Sequence, residues 1–264
     1  DVHLCGIMRY GVYTGNGGSG GTVKFNVFRR VVVRCDEYSP SGSGQPHASF
    51  ACYGDNSSGS AVGSMVYQNC IAIDGIRAAS TANADAYTWG AWYNPKITSG
   101  NLYQGCIALN VQTSRAGFMV VDNLGGAAPT MTDCVGWAIS YAGVGNGAPQ
   151  GIFSTNSGTA GGTWSKLTGG NMTTSMSVVD SSETPNLNSS LFTKYAGSQA
   201  ISGVPGSVSY CAYENGDATG TNQVTFTSAP QWIVRTPYTT QGSGGGALGA
   251  TIEKAYGAFC SHYG

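Results

Sequence analysis

Charge is what this chain has least of. Asp, Glu, Lys and Arg supply 9% of its residues, against about 25% in an ordinary soluble domain. Twelve basic residues stand against thirteen acidic ones, for a formal net charge of −1. No Lys/Arg run occurs, so the basic footprint of a nucleic-acid binder is missing. No stretch approaches the ~18 consecutive apolar residues of a membrane span. Neither nucleic acid nor a bilayer is therefore an expected partner. The eight cysteines include no CxxC pair, which argues against a zinc ribbon or a thioredoxin-type site. His3, His47 and His262 stand far apart with no metal-ligand spacing. A Walker loop is absent, and the glycine string at 15–21 has no helical pattern after it, so phosphate cradling is not expected. Neither metal nor cofactor is expected.

Glycine is abundant, at 41 of 264 residues. Apolar residues make up 41%, enough for a sizeable core. The surface must then be built from Ser, Thr, Asn, Gln and Gly. Such a surface does not hold copies of itself apart by charge. It suits a secreted protein, or one that packs against others. The chain opens at Asp1 with neither Met nor a signal-peptide pattern, as expected either of a mature, processed product or of a fragment of a longer chain. Asn56, Asn171 and Asn188 each begin an Asn-X-Ser/Thr sequon and are possible glycosylation sites.

The strongest pattern is an internal repeat. Tyr67-Gln68-Asn69-Cys70-Ile71-Ala72-Ile73-Asp74 returns as Tyr103-Gln104-Gly105-Cys106-Ile107-Ala108-Leu109-Asn110, identical at five of eight positions. Looser copies surround Cys134 and Cys35. From 35 to 70, 70 to 106 and 106 to 134 the cysteine spacings are 35, 36 and 28. Repeats of this length indicate a solenoid, a propeller or an array. Between the cysteine segments lie further strand patterns at 47–53, 87–93, 116–122 and 150–155, each closed by an Asn, Asp or Gly turn. Two clear strands and a possible short third, over 28 to 36 residues, fall short of a four-stranded propeller blade of ~40–45 residues. A parallel β-helix fits, with coils stacked about 4.8 Å apart so that equivalent residues form ladders.

Cys35, Cys70, Cys106 and Cys134 are expected to form one such inward ladder, either as small buried hydrophobes or as inter-coil disulfides. Ile71/Ile73 and Ile107/Leu109 sit two apart, on one face of a strand. Insertions at 39–46, 78–86 and 143–149 are expected to cluster on one flank. The repeat fades after about residue 181, and residues 182–190 read as turn-rich. A final coil or two follows. The β-helix is expected over residues 1–235, with 236–264 as a C-terminal tail or cap that carries a possible short helix at 247–258. At the other end, residues 2–8 read as a strand with no helix to cover it.

The Asn/Asp-turned repeats, such as Tyr67-Gln68-Asn69-Cys70, resemble the right-handed parallel β-helix superfamily of pectate lyases and phage tailspikes, and the Gly-rich stretch 244–252 resembles the end of some bacterial β-helix proteins. The resemblance is architectural and covers roughly residues 1–235. It implies a secreted or virion-associated protein, and its enzymes act on acidic polysaccharides. The paired Asp-Asp and Gly-His-Gly motifs of its hydrolases are absent, and the aspartates do not gather on one coil face as in its lyases. Lys24, Arg29 and Arg30, read as one strand, only faintly echo a basic lyase site.

Two functions follow. In the first, the chain is an extracellular structural subunit at a cell or virion surface. It assembles with copies of itself into a filament or fibre through coil ends and low-charge flanks. In the alternative it is a carbohydrate-active enzyme, a polysaccharide lyase or hydrolase, or a glycan-binding module. That module would use Arg77, Lys96 and Arg115 for anionic sugar and Trp89 and Trp92 as stacking platforms. No catalytic residue is assigned.

Overall fold

The computed structural model describes residues 2–4, 10–15, 22–35, 48–53, 61–74, 92–94, 100–109, 118–121, 129–137, 153–156, 162–170, 174–178, 186–193, 199–202, 206–214, 220–226, 240–247 and 249–250. Apart from one 3-10 turn, its regular elements are strands, and every strand pairing is parallel. Parallel neighbours cannot be joined by tight hairpins. The chain therefore winds, and each circuit lays one strand on each of three stacked sheets. The fold is a parallel β-helix solenoid.

Sheet I has nine strands in sequence order: β1 (Val2–Leu4), β5 (Val31–Cys35), β9 (Ile71–Asp74), β12 (Ile107–Leu109), β15 (Val135–Trp137), β18 (Thr168–Gly170), β21 (Leu191–Phe192), β24 (Ala212–Glu214) and β25 (Val224–Phe226). Sheet II has seven: β2 (Tyr10–Gly15), β6 (Ala48–Tyr53), β10 (Trp92–Asn94), β13 (Phe118–Val121), β16 (Phe153–Asn156), β19 (Thr174–Val178) and β22 (Gln199–Ser202). Sheet III also has seven: β4 (Val27–Arg29), β8 (Val66–Gln68), β11 (Leu102–Gln104), β14 (Thr130–Thr132), β17 (Thr163–Ser165), β20 (Asn186–Asn188) and β23 (Ser207–Ser209). A two-stranded pair, β3 (Thr22–Lys24) and β7 (Ala61–Gly63), adds a fourth side to the first two coils.

The repeated cysteine segment is a corner between two strands. Tyr67 points inward from β8, Asn69 turns the chain, Cys70 points inward again, and Ala72 continues inward from β9. The turn needs one residue in the left-handed region. Arg30, Asn69, Gly105, Asp133, Lys166, Ser189, Tyr210 and Asn222 all hold it, with φ between 49° and 61°. Their N–H groups bind the next coil: Asn69 donates to the Gln104 carbonyl at 2.9 Å, Gly105 to Thr132 at 3.0 Å and Lys166 to Asn188 at 2.9 Å. Glycine, Asn and Asp enter this region readily, and other residues do so at a cost. The spacing of Asn69, Gly105 and Asp133 thus explains why the repeat is most legible at those three corners.

Register decides which cysteines share a ladder. Val32 pairs with Ile71, so Val31 stands opposite Cys70, and Cys35 pairs with Asp74. The expected place of Cys35 in the ladder is therefore corrected: it lies four residues beyond the corner, and Val31 fills the position. The corner column runs Val2, Val31, Cys70, Cys106, Cys134, Leu167, Ser190, Cys211. By difference, its coils contain 29, 39, 36, 28, 33, 23 and 21 residues. The repeat does not stop near residue 181. It continues through the short coils of β20 to β24, where Leu167 and Ser190 replace cysteine. Lys24, Arg29 and Arg30 do not share a strand either, since they belong to β3, β4 and the corner.

Stacked coils put like side chains one above another in the interior. Phe28, Tyr67 and Tyr103 stack at 5.3 and 5.2 Å between ring centroids, and Phe50 lies 4.6 Å from Trp92. Such pairs add about 0.5–1.5 kcal/mol each beyond their burial. Met131, Trp164, Leu187 and Val208 continue the same inward column.

The C-terminal segment was expected to cap the last coil, with a short helix at 247–258. The segment after Thr240 makes a 3-10 turn at Ser243–Gly245. Ala247, Gly249 and Ala250 are not helical, and the remainder of that stretch lies outside the described residues. Gly249 and Ala250 sit on the flank of the solenoid beside Thr168 and Leu191, not on its last coil.

Candidate interaction surfaces

The outward residues of sheet III form two straight columns. One runs Val27, Val66, Leu102, Thr130, Thr163, Asn186, Ser207, and the other Arg29, Gln68, Gln104, Thr132, Ser165, Asn188, Ser209. Apart from Arg29, neither column contains a charge. Side chains bond along the axis. Arg29 donates to Gln68 Oε1 from Nε at 3.0 Å and from Nη2 at 2.8 Å, and Gln68 donates to Gln104 Oε1 at 2.9 Å. Ser165 Oγ donates to Thr132 Oγ1 at 3.3 Å. Ser207 reaches Asn186 Oδ1 at 2.8 Å, and Asn188 Nδ2 donates to Ser209 Oγ at 2.9 Å. From β14 onward every outward residue of this sheet is Thr, Ser or Asn, with no side chain longer than Asn. The inward Met131, Trp164, Leu187 and Val208 support the face from beneath.

A second surface is the first coil. Val2, Tyr13, Phe25 and Val27 are the exposed large apolar side chains among the described residues, at 49%, 49%, 77% and 58%. All four belong to strands or turns of the first coil. Each of β1, β2 and β4 has one neighbour within its sheet, so three strand edges end together here. Phe25 is also left-handed, at φ 63°. Its counterpart one coil on is Ser64, since Lys24 pairs with Gly63.

The residues singled out from the sequence divide sharply. Cys70, Cys106 and Cys134 are fully buried free thiols at consecutive corners. Their Sγ atoms donate to backbone carbonyls, Cys70 to Phe28 at 3.3 Å and Cys106 to Tyr67 at 3.4 Å. The neighbouring Cys106 thiol and burial both push the Cys70 thiol up, and burial does the same at Cys106. Burial likewise pushes Cys52 and Cys211 up to about 11. At Cys52, Cys70, Cys106 and Cys211 burial thus disfavours the thiolate on which reactivity depends. Trp92 is corrected. It has no exposed surface and stacks on Phe50 in the interior, so it offers no platform to a sugar. Its segment alternates about a strand of sheet II, and the inward position fell to Trp92. Arg77, Trp89, Lys96, Arg115, Asn56 and Asn171 lie outside the described residues. Asn188 is half-buried, its amide is bonded to Ser209, and its Oδ1 accepts from Ser189 at 2.6 Å.

The open first coil was legible in the sequence as an uncovered strand at residues 2–8, but the columns of sheet III were not. The columns of sheet III are visible in Thr130/Thr132, Thr163/Ser165, Asn186/Asn188 and Ser207/Ser209 once these segments are aligned, but their spacing shrinks along the chain and hides the match. Among the described residues no group of three or more His, Cys, Asp or Glu could hold a metal ion. No helix among them is long and apolar enough to cross a membrane. Comparison with models of protein families, with curated proteins and with solved structures finds no match to this chain.

Proposed function

We propose that the chain is a structural, self-associating subunit of an extracellular fibre, at a cell or virion surface, that grows by stacking coil upon coil. The first coil carries this reading. Among the described residues it combines three strands that end their sheets with an apolar rim of Val2, Phe25 and Val27. Edges of this kind are templates for pairing, and proteins ordinarily blunt them. Whatever precedes Asp1 in the natural chain, this is a surface that a further coil fits.

Charge selects the geometry. Lys24, Arg29 and Arg30 all lie on the first coil. Pairing two first coils would set like charges together, which disfavours that contact. The first coil of one molecule then meets the last coil of the next. A heterologous contact of this kind builds an open filament. The low-charge face of sheet III supports lateral packing of such filaments. Membership of the right-handed superfamily of pectate lyases and tailspikes belongs to the same reading and rests on coil architecture.

The test compares the parent chain with a Phe25→Ser, Val27→Lys double variant, by sedimentation velocity over a concentration series and by electron microscopy. The parent is expected to form a ladder of oligomers or filaments, and the variant to remain monomeric. A parent that stays monomeric at high micromolar concentration sinks the proposal. A second reading, a module for neutral glycans, draws on the hydroxyl and amide columns of β14, β17, β20 and β23. Retention on an insoluble uncharged polysaccharide, lost in Thr130→Asp, would support it.

A further inference from the structure

The outward side chains of β14, β17, β20 and β23 come in pairs: Thr-Thr, Thr-Ser, Asn-Asn and Ser-Ser. The first member of each pair is exposed and the second half-buried. Six hydroxyls and two amides thus face outward, with no charge and no ring among them. The strands pair in register, so that Met131, Trp164, Leu187 and Val208 share one rung position. The outward groups therefore form a grid, two columns wide and four rungs long. Its steps are ~4.8 Å from rung to rung and ~6.6 Å between same-face residues along a parallel strand.

The grid is held still. Beneath it Met131, Trp164 and Leu187 are buried, and Trp164 Nε1 donates to the Pro129 carbonyl at 3.2 Å. Within it, bonds of 3.3, 2.8 and 2.9 Å join Ser165 to Thr132, Ser207 to Asn186 and Asn188 to Ser209. Thr130 and Thr163 are β-branched, which restricts χ1 and fixes where their hydroxyls point.

A soluble sugar is ordinarily taken by a concave site or stacked on an aromatic ring, and the outward residues of these strands supply no ring. An ionic partner needs charge of one sign, whereas the corner residues at the edge of the grid are Asp133 and Lys166, which oppose each other. A rigid, uncharged, two-dimensional repeat is matched by a solid that has an uncharged repeat of its own. Ice is such a solid. With O–H···O contacts of ~2.75 Å and tetrahedral geometry, second-neighbour oxygens stand ~4.5 Å apart, and the lattice repeats every ~7.3 Å along its hexagonal axis. On a prism face these two repeats meet at right angles, as the solenoid axis and the strands do. The mismatch is ~0.3 Å per rung, or ~0.9 Å from β14 to β23, and ~0.7 Å across the grid. Each sum is smaller than the length of one hydrogen bond.

We propose that the hydroxyl and amide grid of β14, β17, β20 and β23 is an ice-binding face, which holds water in the pattern of a prism plane and so adheres to growing ice. The longer Gln104 of β11 ends the grid on one side. This activity does not depend on self-association, and it competes with the neutral-glycan reading for the same face.

Ice-affinity partitioning tests it. Ice is grown slowly on a cold finger from a dilute solution of the parent chain and an unrelated protein that does not bind ice. The Phe25→Ser, Val27→Lys variant is run alongside, so that self-association plays no part. Both chains are expected in the ice fraction at several-fold enrichment over the unrelated protein. Thr163→Lys sets a long charged side chain within the grid and is expected to bring enrichment down to the level of that protein. Thr225→Lys makes the same change at an exposed position of β25 on sheet I and is expected to leave enrichment as it was. Urea midpoints establish that each variant is folded, and Thr130→Lys takes the place of Thr163→Lys if the latter is not. Exclusion of the parent chain from ice overturns the proposal, as does a grid variant enriched as strongly as the parent. Retention on an insoluble uncharged polysaccharide without enrichment in ice also overturns it, in favour of the glycan reading.

Discussion

Sheets I and III share the same coils, the same register and the same corners, yet their outer faces are opposites. Sheet I turns Ile71, Ile107 and Val135 outward and has them buried. One corner residue earlier, sheet III turns Gln68, Gln104 and Thr132 outward and leaves them in contact with water. Parallel sheets are normally covered on both faces. Sheet I obeys that rule and sheet III departs from it. The difference teaches that the coil itself demands only an apolar inner column. What happens outside each sheet is decided by whether another segment covers it.

The largest effect is expected from placing a charge on the covered face. Ile107→Asp buries an unpaired carboxylate and should cost about 4 kcal/mol, read as a lowered urea midpoint. An unchanged midpoint would mean that the face is open and the contrast between the sheets false. Next comes the corner that both sheets share. Gly105 holds φ 61°, and an added Cβ would stand 2.6 Å from Asn69 Nδ2. Gly105→Ala should cost about 2 kcal/mol, at the upper end of the left-handed penalty because the contact adds to it, again by urea melt.

A further loss is expected at alkaline pH. Burial raises Cys52 and Cys211 from 9.0 to about 11. The folded chain therefore holds protons that the unfolded chain releases, and stability falls as pH rises from about 9 towards 11. Below about 9 this contribution is constant. Replacing both thiols by Ala should flatten the slope of the thermal midpoint against pH in that window, and an unaltered slope would reject the assignment.

Lys166 tests the corner in the favourable direction. It is exposed and left-handed at φ 53°, and Lys166→Gly should stabilise by about 1 kcal/mol, by relief of a penalty that glycine does not incur. The smallest effect belongs to the open face. Thr130→Asp on sheet III should move stability by no more than about 0.5 kcal/mol. The ratio of the Ile107 and Thr130 effects measures the contrast between the two faces directly.

Much of the fold was legible in the repeat. The Tyr-Gln-Asn-Cys and Tyr-Gln-Gly-Cys segments announced stacked coils, and the patterns at 47–53, 116–122 and 150–155 correspond to β6, β13 and β16. Cysteine alone was a poor ruler. It placed Cys35 four residues out of register and let the repeat seem to fade where Leu167 and Ser190 take the same corner. The surfaces were harder still. Alternation shows that Trp92 and its neighbours face opposite ways, but it does not say which way is in.

By itself the sequence determined that the chain winds into stacked coils with apolar ladders, because a repeat of similar segments can bury its apolar residues only against its own copies. It also determined a surface almost free of charge. The tertiary structure alone decided which residue meets which across coils, and so which thiols stack. It alone decided that the outward isoleucines of sheet I are sealed while the outward hydroxyls of sheet III are open. The reason is that strand periodicity specifies two faces but carries no sign. Register fixes that sign only when neighbouring coils, and a segment as distant as Gly249 and Ala250, are packed in place.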